Sequence, residues 1–191
     1  MNETKNILIV GVGGQGTLLA SKLMGRVFVE EGFDVKVSEV HGMSQRGGSV
    51  VTYVRYGDKV WSGLIEKGEA DLILSFEELE AARWLPWLKK GGVIITNTQQ
   101  IDPMPVIMGN AAYPESITEN IRGKAEQVVA VDALALAEQA GSAKCVNTIL
   151  LGVAAKFLGL PENLWLGAIR ATVPPKTVEF NLKAFDLGYN A

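Results

Sequence analysis

Metal-seeking and redox-active side chains are scarce in this sequence, which holds one cysteine, Cys145, and one histidine, His41. A single cysteine forbids an internal disulfide. It also forbids an iron–sulfur cluster held by this chain alone, which takes about four thiolates. One histidine leaves too few ligands for an ordinary zinc site of His and Cys. No apolar run reaches the roughly 20 residues that cross a bilayer, and the polar start, Met1 to Asn6, leads into a short apolar run without the long apolar core and cleavage site of a secretory signal. A cytoplasmic chain with no membrane partner is the expectation. Charge of one sign is missing too. With 18 Lys and Arg against 21 Asp and Glu, the net charge is -3. That offers no footprint for neutralising phosphate backbones, so nucleic acid is not an expected partner. There is no low-complexity tract and no internal repeat, and 48% hydrophobic residues with 20% charged lies far from the composition of disordered chains. One core fits this length, so residues 1–191 are expected to form a single domain.

What is present alternates between two periods. Asn6 to Val10 is a short apolar run that stops at Gly11, the pattern of a buried parallel strand. Leu18, Leu19, Leu23, Met24 and Val27 then recur at helical spacing, predicting a helix from Gly16 to Glu31, and residues 34–40 alternate as a second strand. Ser49 to Tyr56 is rich in β-formers. Gly57-Asp58 follows as a candidate tight turn into Lys59-Val60-Trp61, predicting an antiparallel pair over residues 49–61. Further strands are expected at 71–76, 93–96 and 128–131. Helices are expected from Glu77 to Lys90, closed by Gly91-Gly92, from Asp132 to Gln139, closed by Gly141, from Asn147 to Leu158, after Pro161, and after Pro174-Pro175. The stretch from 97 to 117, with three prolines, reads as the least regular part. The whole predicts an α/β fold: a Rossmann-like, doubly wound, mostly parallel sheet with flanking helices.

Two segments could carry chemistry. Gly11-Val-Gly-Gly-Gln-Gly16 matches G-x-G-x-x-G between a strand and a helix, where a tight turn and free helix N–H groups suit an anion; close strand-to-helix packing would equally explain the glycines. Glu39, ending the second strand, stands where a ribose-binding carboxylate would be expected. The second segment, His41 to Gly48, should lie on the same sheet edge and offers His41, Ser44, Gln45 and Arg46. Arg46 could fork onto a carboxylate or phosphate, whereas His41 reads better as a cap or interface contact than as a catalyst. Cys145 reads as a small buried residue, because no histidine but His41 could activate it. Trp61, Trp84, Trp87 and Trp165 read as core or subunit contacts, and Asp71 and Asp132 as strand-end and capping residues.

Together, Gly11 to Thr17 and Glu39-Val-His-Gly-Met-Ser-Gln-Arg-Gly-Gly-Ser49 resemble the gamma-type subunits of the 2-oxoacid:ferredoxin oxidoreductases, on their indolepyruvate branch. The likeness extends through Asn147-Thr-Ile-Leu-Leu-Gly152 and Pro175-Lys-Thr-Val-Glu179, so it spans the chain. It implies a gamma-type catalytic domain over 1–191 that works beside a large alpha subunit. That partner would carry thiamine diphosphate, magnesium and 4Fe–4S clusters, and the complex would oxidatively decarboxylate an arylpyruvate such as indolepyruvate to an acyl-CoA, with electrons passing to ferredoxin. The residues agree with that division: the Gly-Asp-Gly to Asn-Asn pattern of a thiamine diphosphate site is missing, and one cysteine cannot hold a cluster. The chain should therefore be inactive alone and bind no cofactor by itself. Gly11, Gly13, Gly14, Gln15, Gly16, His41, Ser44, Gln45, Arg46 and Gly47 are the residues expected to face coenzyme A or the substrate, with no catalytic residue and no metal ligand assigned. A stand-alone NAD- or FAD-dependent oxidoreductase and a non-enzymatic Rossmann-like interaction module are the alternatives.

Overall fold

In the computed structural model residues 3–40 and 48–191 are described. His41, Ser44, Gln45, Arg46 and Gly47, all singled out above, lie outside the described residues.

Six strands form one sheet in the order β2-β3-β1-β4-β5-β6. They are β1 (Lys5–Val12), β2 (Asp34–Glu39), β3 (Ser49–Gly57), β4 (Ala70–Ser75), β5 (Leu88–Asn97) and β6 (Gln127–Val131). β1, β4, β5 and β6 are parallel neighbours, and β3 runs antiparallel to both β1 and β2. The antiparallel character expected near residue 49 is therefore real, but its partners differ. β3 does not fold back on Lys59–Trp61; it slots between the first two strands, pairing Val54 with Ile7 on one side and Val37 on the other. Two long partners offer a ladder along the whole of β3, which a hairpin to a three-residue strand could not match.

Central strands are apolar on both faces, and the pleat divides them cleanly. Ile7, Ile9, Leu72, Leu74 and Ile95 point into the larger core, under α1 (Thr17–Glu30), α5 (Ala133–Ala140), α6 (Val146–Leu158), α7 (Glu162–Thr172) and α8 (Val178–Tyr189). Leu8, Val10, Ile73 and Ile94 point the other way, into a smaller core under α2 (Glu78–Trp84) and α4 (Ile117–Arg122). Among the described residues no helix is long and apolar enough to cross a membrane.

Two expectations need correcting. The helix from Glu77 ends at Trp84 rather than Lys90 and passes through a short 3-10 turn, Leu85–Trp87. Pro86 lacks the N–H that would extend the helical ladder. Second, Gly91 and Gly92 terminate no helix. They sit inside β5, where the pairing with β4 jumps from Ala70↔Leu88 to Leu72↔Val93, and a Cβ on Gly92 would fall 3.0 Å from the Ala70 carbonyl oxygen. The proline-rich stretch, expected to be the least regular part, holds one short helix, α3 (Met104–Ile107), after Pro103, and α4 begins at its end. The C-terminal helices, by contrast, fall where periodicity placed them, with Asp132 capping α5 through the Ala135 N–H at 3.0 Å.

Candidate functional site

Because β1, β2, β4, β5 and β6 point the same way, their carboxyl ends converge on one edge, and the glycine turn, Val40, Gly48 and the start of α2 all meet there. The turn begins after Val12. Gly14 and Gly16 hold φ of 102° and 85°, the left-handed region that L side chains avoid. Gly11 is required for a different reason: a Cβ there would fall 2.9 Å from Phe76 Cβ.

Gln15 turns inward. Its Oε1 accepts the Val12 N–H at 2.7 Å, and its Nε2 donates to the Phe76 carbonyl at 2.9 Å and to Gln99 Oε1 at 3.3 Å. It ties the turn to the ends of β4 and β5. The Gly13 N–H donates to the Gly48 carbonyl at 2.9 Å, so the far end of the second motif is bonded to the first. A cavity of about 300 Å³ opens between them, lined by Gly13, Gly14, Gly16, Thr17, Glu39 and Val50.

Glu39 thus shares a cavity with the glycine turn, as its position in the chain suggested. It does so from two strands away rather than from the neighbouring strand, because β3 intervenes. Its Oε1 accepts the Ser21 hydroxyl of α1 at 2.9 Å. A ribose carboxylate of the usual dinucleotide kind lies on the adjacent strand, roughly 5 Å nearer.

The next group was not legible as a site. Glu77, Glu78 and Glu80 open α2 and look like the solvated acidic first turn of a helix, yet they are 1%, 8% and 1% exposed. Each carboxylate is engaged. Glu77 accepts the Glu80 N–H at 2.8 Å, the Ile101 N–H at 3.1 Å and the Tyr113 hydroxyl. Glu78 accepts from Gln100 Nε2 at 2.8 Å and from the Thr118 hydroxyl. Glu80 joins Ser49, the first residue of β3, to the Arg83 guanidinium. Burial, then the bond to Glu77, pushes the Tyr113 hydroxyl well above the usual phenol range. The three acids pin the 99–118 segment and the root of β3 around a cavity of about 180 Å³ that reaches Gly48, Asp102 and Met104.

Cys145 is buried, and burial raises its thiol, which keeps it protonated and unreactive at neutral pH. Trp165 is fully buried, whereas Trp61 is 88% exposed beneath Lys59, whose ammonium lies 5.3 Å from the ring centre. No group of three or more His, Cys, Asp or Glu side chains arranged for a metal occurs among the described residues.

Residues 6–191 match the family described as pyruvate ferredoxin/flavodoxin oxidoreductase. The chain belongs to that family. The indolepyruvate oxidoreductase subunit IorB of Pyrococcus horikoshii is 46% identical, over 97% of this chain and 95% of its own length. The gamma subunit of a keto/oxoacid ferredoxin oxidoreductase from Geobacter sulfurreducens superposes with a TM-score of 0.72 at 23% identity, over 97% of this chain and 96% of that one. The 2-oxoglutarate:ferredoxin oxidoreductase from Magnetococcus marinus gives 0.74 at 19% identity; there the match takes all of this chain and 31% of the other. The mixed six-stranded sheet with helices on both faces is the fold these two structures share. The glycine turn of this family member therefore stands on the fold that those two structures share with it.

Proposed function

We propose that the chain is the cluster-free subunit of an indolepyruvate-type 2-oxoacid:ferredoxin oxidoreductase, which decarboxylates an arylpyruvate oxidatively to an acyl-CoA and hands the electrons to ferredoxin. The carrying observation is the 46% identity to an indolepyruvate oxidoreductase subunit over nearly the full length of both chains. The 4Fe–4S clusters belong to a large alpha subunit, since a single cysteine cannot hold them, and thiamine diphosphate and magnesium belong there too, since the Gly-Asp-Gly to Asn-Asn pattern of such a site is missing from this chain. Thiamine diphosphate supplies the decarboxylation chemistry there. This subunit supplies surface, and by itself it is inactive.

In this reading the sheet edge faces the partner and closes the cleft in which coenzyme A and the 2-oxoacid meet. Gly13, Gly14 and Gly16 offer backbone to the ligand, Gly11 and Gln15 hold the turn in shape, and His41, Ser44, Gln45, Arg46 and Gly47 complete the contact, Arg46 as the anion fork. A stand-alone NAD- or FAD-dependent enzyme is not favoured. It would need its own catalytic group and substrate pocket, and Glu39 already accepts the Ser21 hydroxyl. A purely structural module differs from our reading only in whether these residues touch a ligand.

The test is co-expression with the large subunit and anaerobic dye reduction dependent on indolepyruvate and coenzyme A. Activity in the complex and in neither chain alone is the expected outcome. Full activity of the large subunit by itself overturns the proposal. Within an active complex, Arg46→Ala should raise the KM for coenzyme A or for the 2-oxoacid; unchanged constants would remove Arg46 from the site.

A further inference from the structure

Strand β3 meets the glycine turn at its first residue. Ser49 stands opposite Val12, the last residue of β1, and one step further the Gly13 N–H donates to the Gly48 carbonyl at 2.9 Å. The ladder between the two strands therefore runs on into the turn. The pleat sends alternate side chains of β3 to opposite faces. Val50 and Thr52 line the cavity of about 300 Å³ that Gly13, Gly14 and Glu39 also line. Ser49 and Val51 belong to the other face, toward α2, where the Ser49 hydroxyl donates to Glu80.

Glu80 reaches that junction from behind. Its side chain is buried and lines the cavity on the α2 side of the strand, not the one in front of it. One carboxylate oxygen accepts the Ser49 hydroxyl, and the other accepts from the Arg83 guanidinium. The Glu80 backbone is fixed as well, its N–H donating to Glu77 Oε2 at 2.8 Å. Burying an ion pair is a poor route to stability, because an apolar side chain of similar volume often serves as well. What a buried carboxylate adds is direction. Here it holds one hydroxyl at the last rung before the turn. Ser49 is itself exposed, and the end of a ladder is where a strand opens most readily.

We infer that Glu80 is a positioning residue: through the Ser49 hydroxyl it fixes the Gly48–Gly13 junction, and with it the shape that the glycine turn presents to a ligand. Arg83 keeps the carboxylate oriented from its second oxygen. Glu80 touches no ligand itself and acts only through Ser49. The inference rests on the reading that the turn contacts a ligand, and it names the group behind the turn that sets its geometry.

Ser49→Ala removes the contact and leaves the Glu80–Arg83 pair intact; since Ser49 is exposed, this variant keeps its fold. Ser49→Thr retains the hydroxyl and suits a strand. In the purified full chain, hydrogen exchange at the Gly13 amide should quicken about tenfold in Ser49→Ala and return toward the native rate in Ser49→Thr, with α6 and α8 unchanged in both. In the complex with the large subunit, Ser49→Ala should raise the KM for coenzyme A or the 2-oxoacid about threefold or more at unchanged kcat, and Ser49→Thr should stay close to native. Glu80→Gln removes the charge from the same contact, so it should shift both readouts in the same direction and add little in the Ser49→Ala background. Unchanged exchange at Gly13, unchanged kinetic constants, a threonine variant as impaired as the alanine one, or an equal effect of Glu80→Gln in both backgrounds overturns the inference. Gly14→Ala, which strains the turn directly at a φ of 102°, separates the two readings in the assembled complex. If it raises KM while Ser49→Ala does not, the turn contacts a ligand and only the positioning role falls. If neither variant moves KM, both fall.

Discussion

The two faces of the sheet are held by different physics. On one, α6 and α8 cross with their backbones touching: a Cβ on Gly188 would fall 2.0 Å from the Ile149 carbonyl oxygen, and one on Gly152 would fall 2.3 Å from that of Phe185. Trp165, Phe28 and Phe185 pack beneath, fully buried. On the other, a smaller apolar core under α2 and α4 is supplemented by three buried glutamates that hold loops by hydrogen bonds. Close apolar packing is nondirectional and tolerates no added volume. A carboxylate network is directional and tolerates no lost acceptor. The first face is scaffold, and the second shapes the edge where the glycine turn and the root of β3 meet.

The most damaging single change should therefore be the addition of one carbon to the first face. Gly188→Ala puts its methyl into the α6 backbone, which cannot move without separating the helices. We expect a loss of about 3 kcal/mol or more, read as a fall in the urea midpoint at unchanged slope. A cost below about 1 kcal/mol would mean the crossing yields and the contrast with the other face is false.

The second face should answer to chemistry at constant volume. Glu77→Gln keeps the shape but turns an amide toward donors: Glu80 N–H, Ile101 N–H and the Tyr113 hydroxyl cannot all remain bonded. About 2 kcal/mol should be lost. Hydrogen exchange sharpens the prediction, because amides of the 99–118 segment should exchange faster while those of α6 and α8 hardly change. Uniform acceleration across both faces would show that the network carries global stability rather than local order.

This contrast also explains what could be read from the sequence. α5, α6 and α8 are legible because apolar burial writes a 3.6-residue period, and Asp132 and Gly141 mark the ends of α5. The central strands are legible as apolar runs. Hydrogen-bonded structure leaves no such period. Glu77, Glu78 and Glu80 look like surface residues, and nothing local announces that Ile101, Tyr113 and Thr118 will meet them. The partner of β3 is equally nonlocal: Ser49 to Tyr56 reads as a strand, but insertion between β1 and β2 is decided by two ladders formed far apart in sequence. At the candidate site the glycine turn was visible as a motif, whereas the inward turn of Gln15 and the approach of Asn147 to Gly16 depend on tertiary packing.

The mildest probe of the comparison uses one tyrosine from each face. Tyr56 lies on the apolar side, stacked on Phe28 at 3.8 Å between ring centres, and burial with Asp71 nearby pushes its hydroxyl up to about 12. Tyr113 lies on the carboxylate side and is raised by burial and by Glu77. A tyrosine with a raised folded value is favoured neutral, so its contribution to stability is complete below the unfolded value of about 10 and is lost as pH climbs through the folded one. Native protein should therefore lose stability from about pH 10 toward 12, with both phenols ionising late in an absorbance titration. The variants should then diverge. Tyr56→Phe keeps the stacked ring and should remove part of the alkaline loss with little change at pH 7. Tyr113→Phe should cost about 1 kcal/mol at pH 7, because Glu77 loses a donor. Equal behaviour of the two variants at neutral pH would erase the distinction between a face built on packing and a face built on hydrogen bonds.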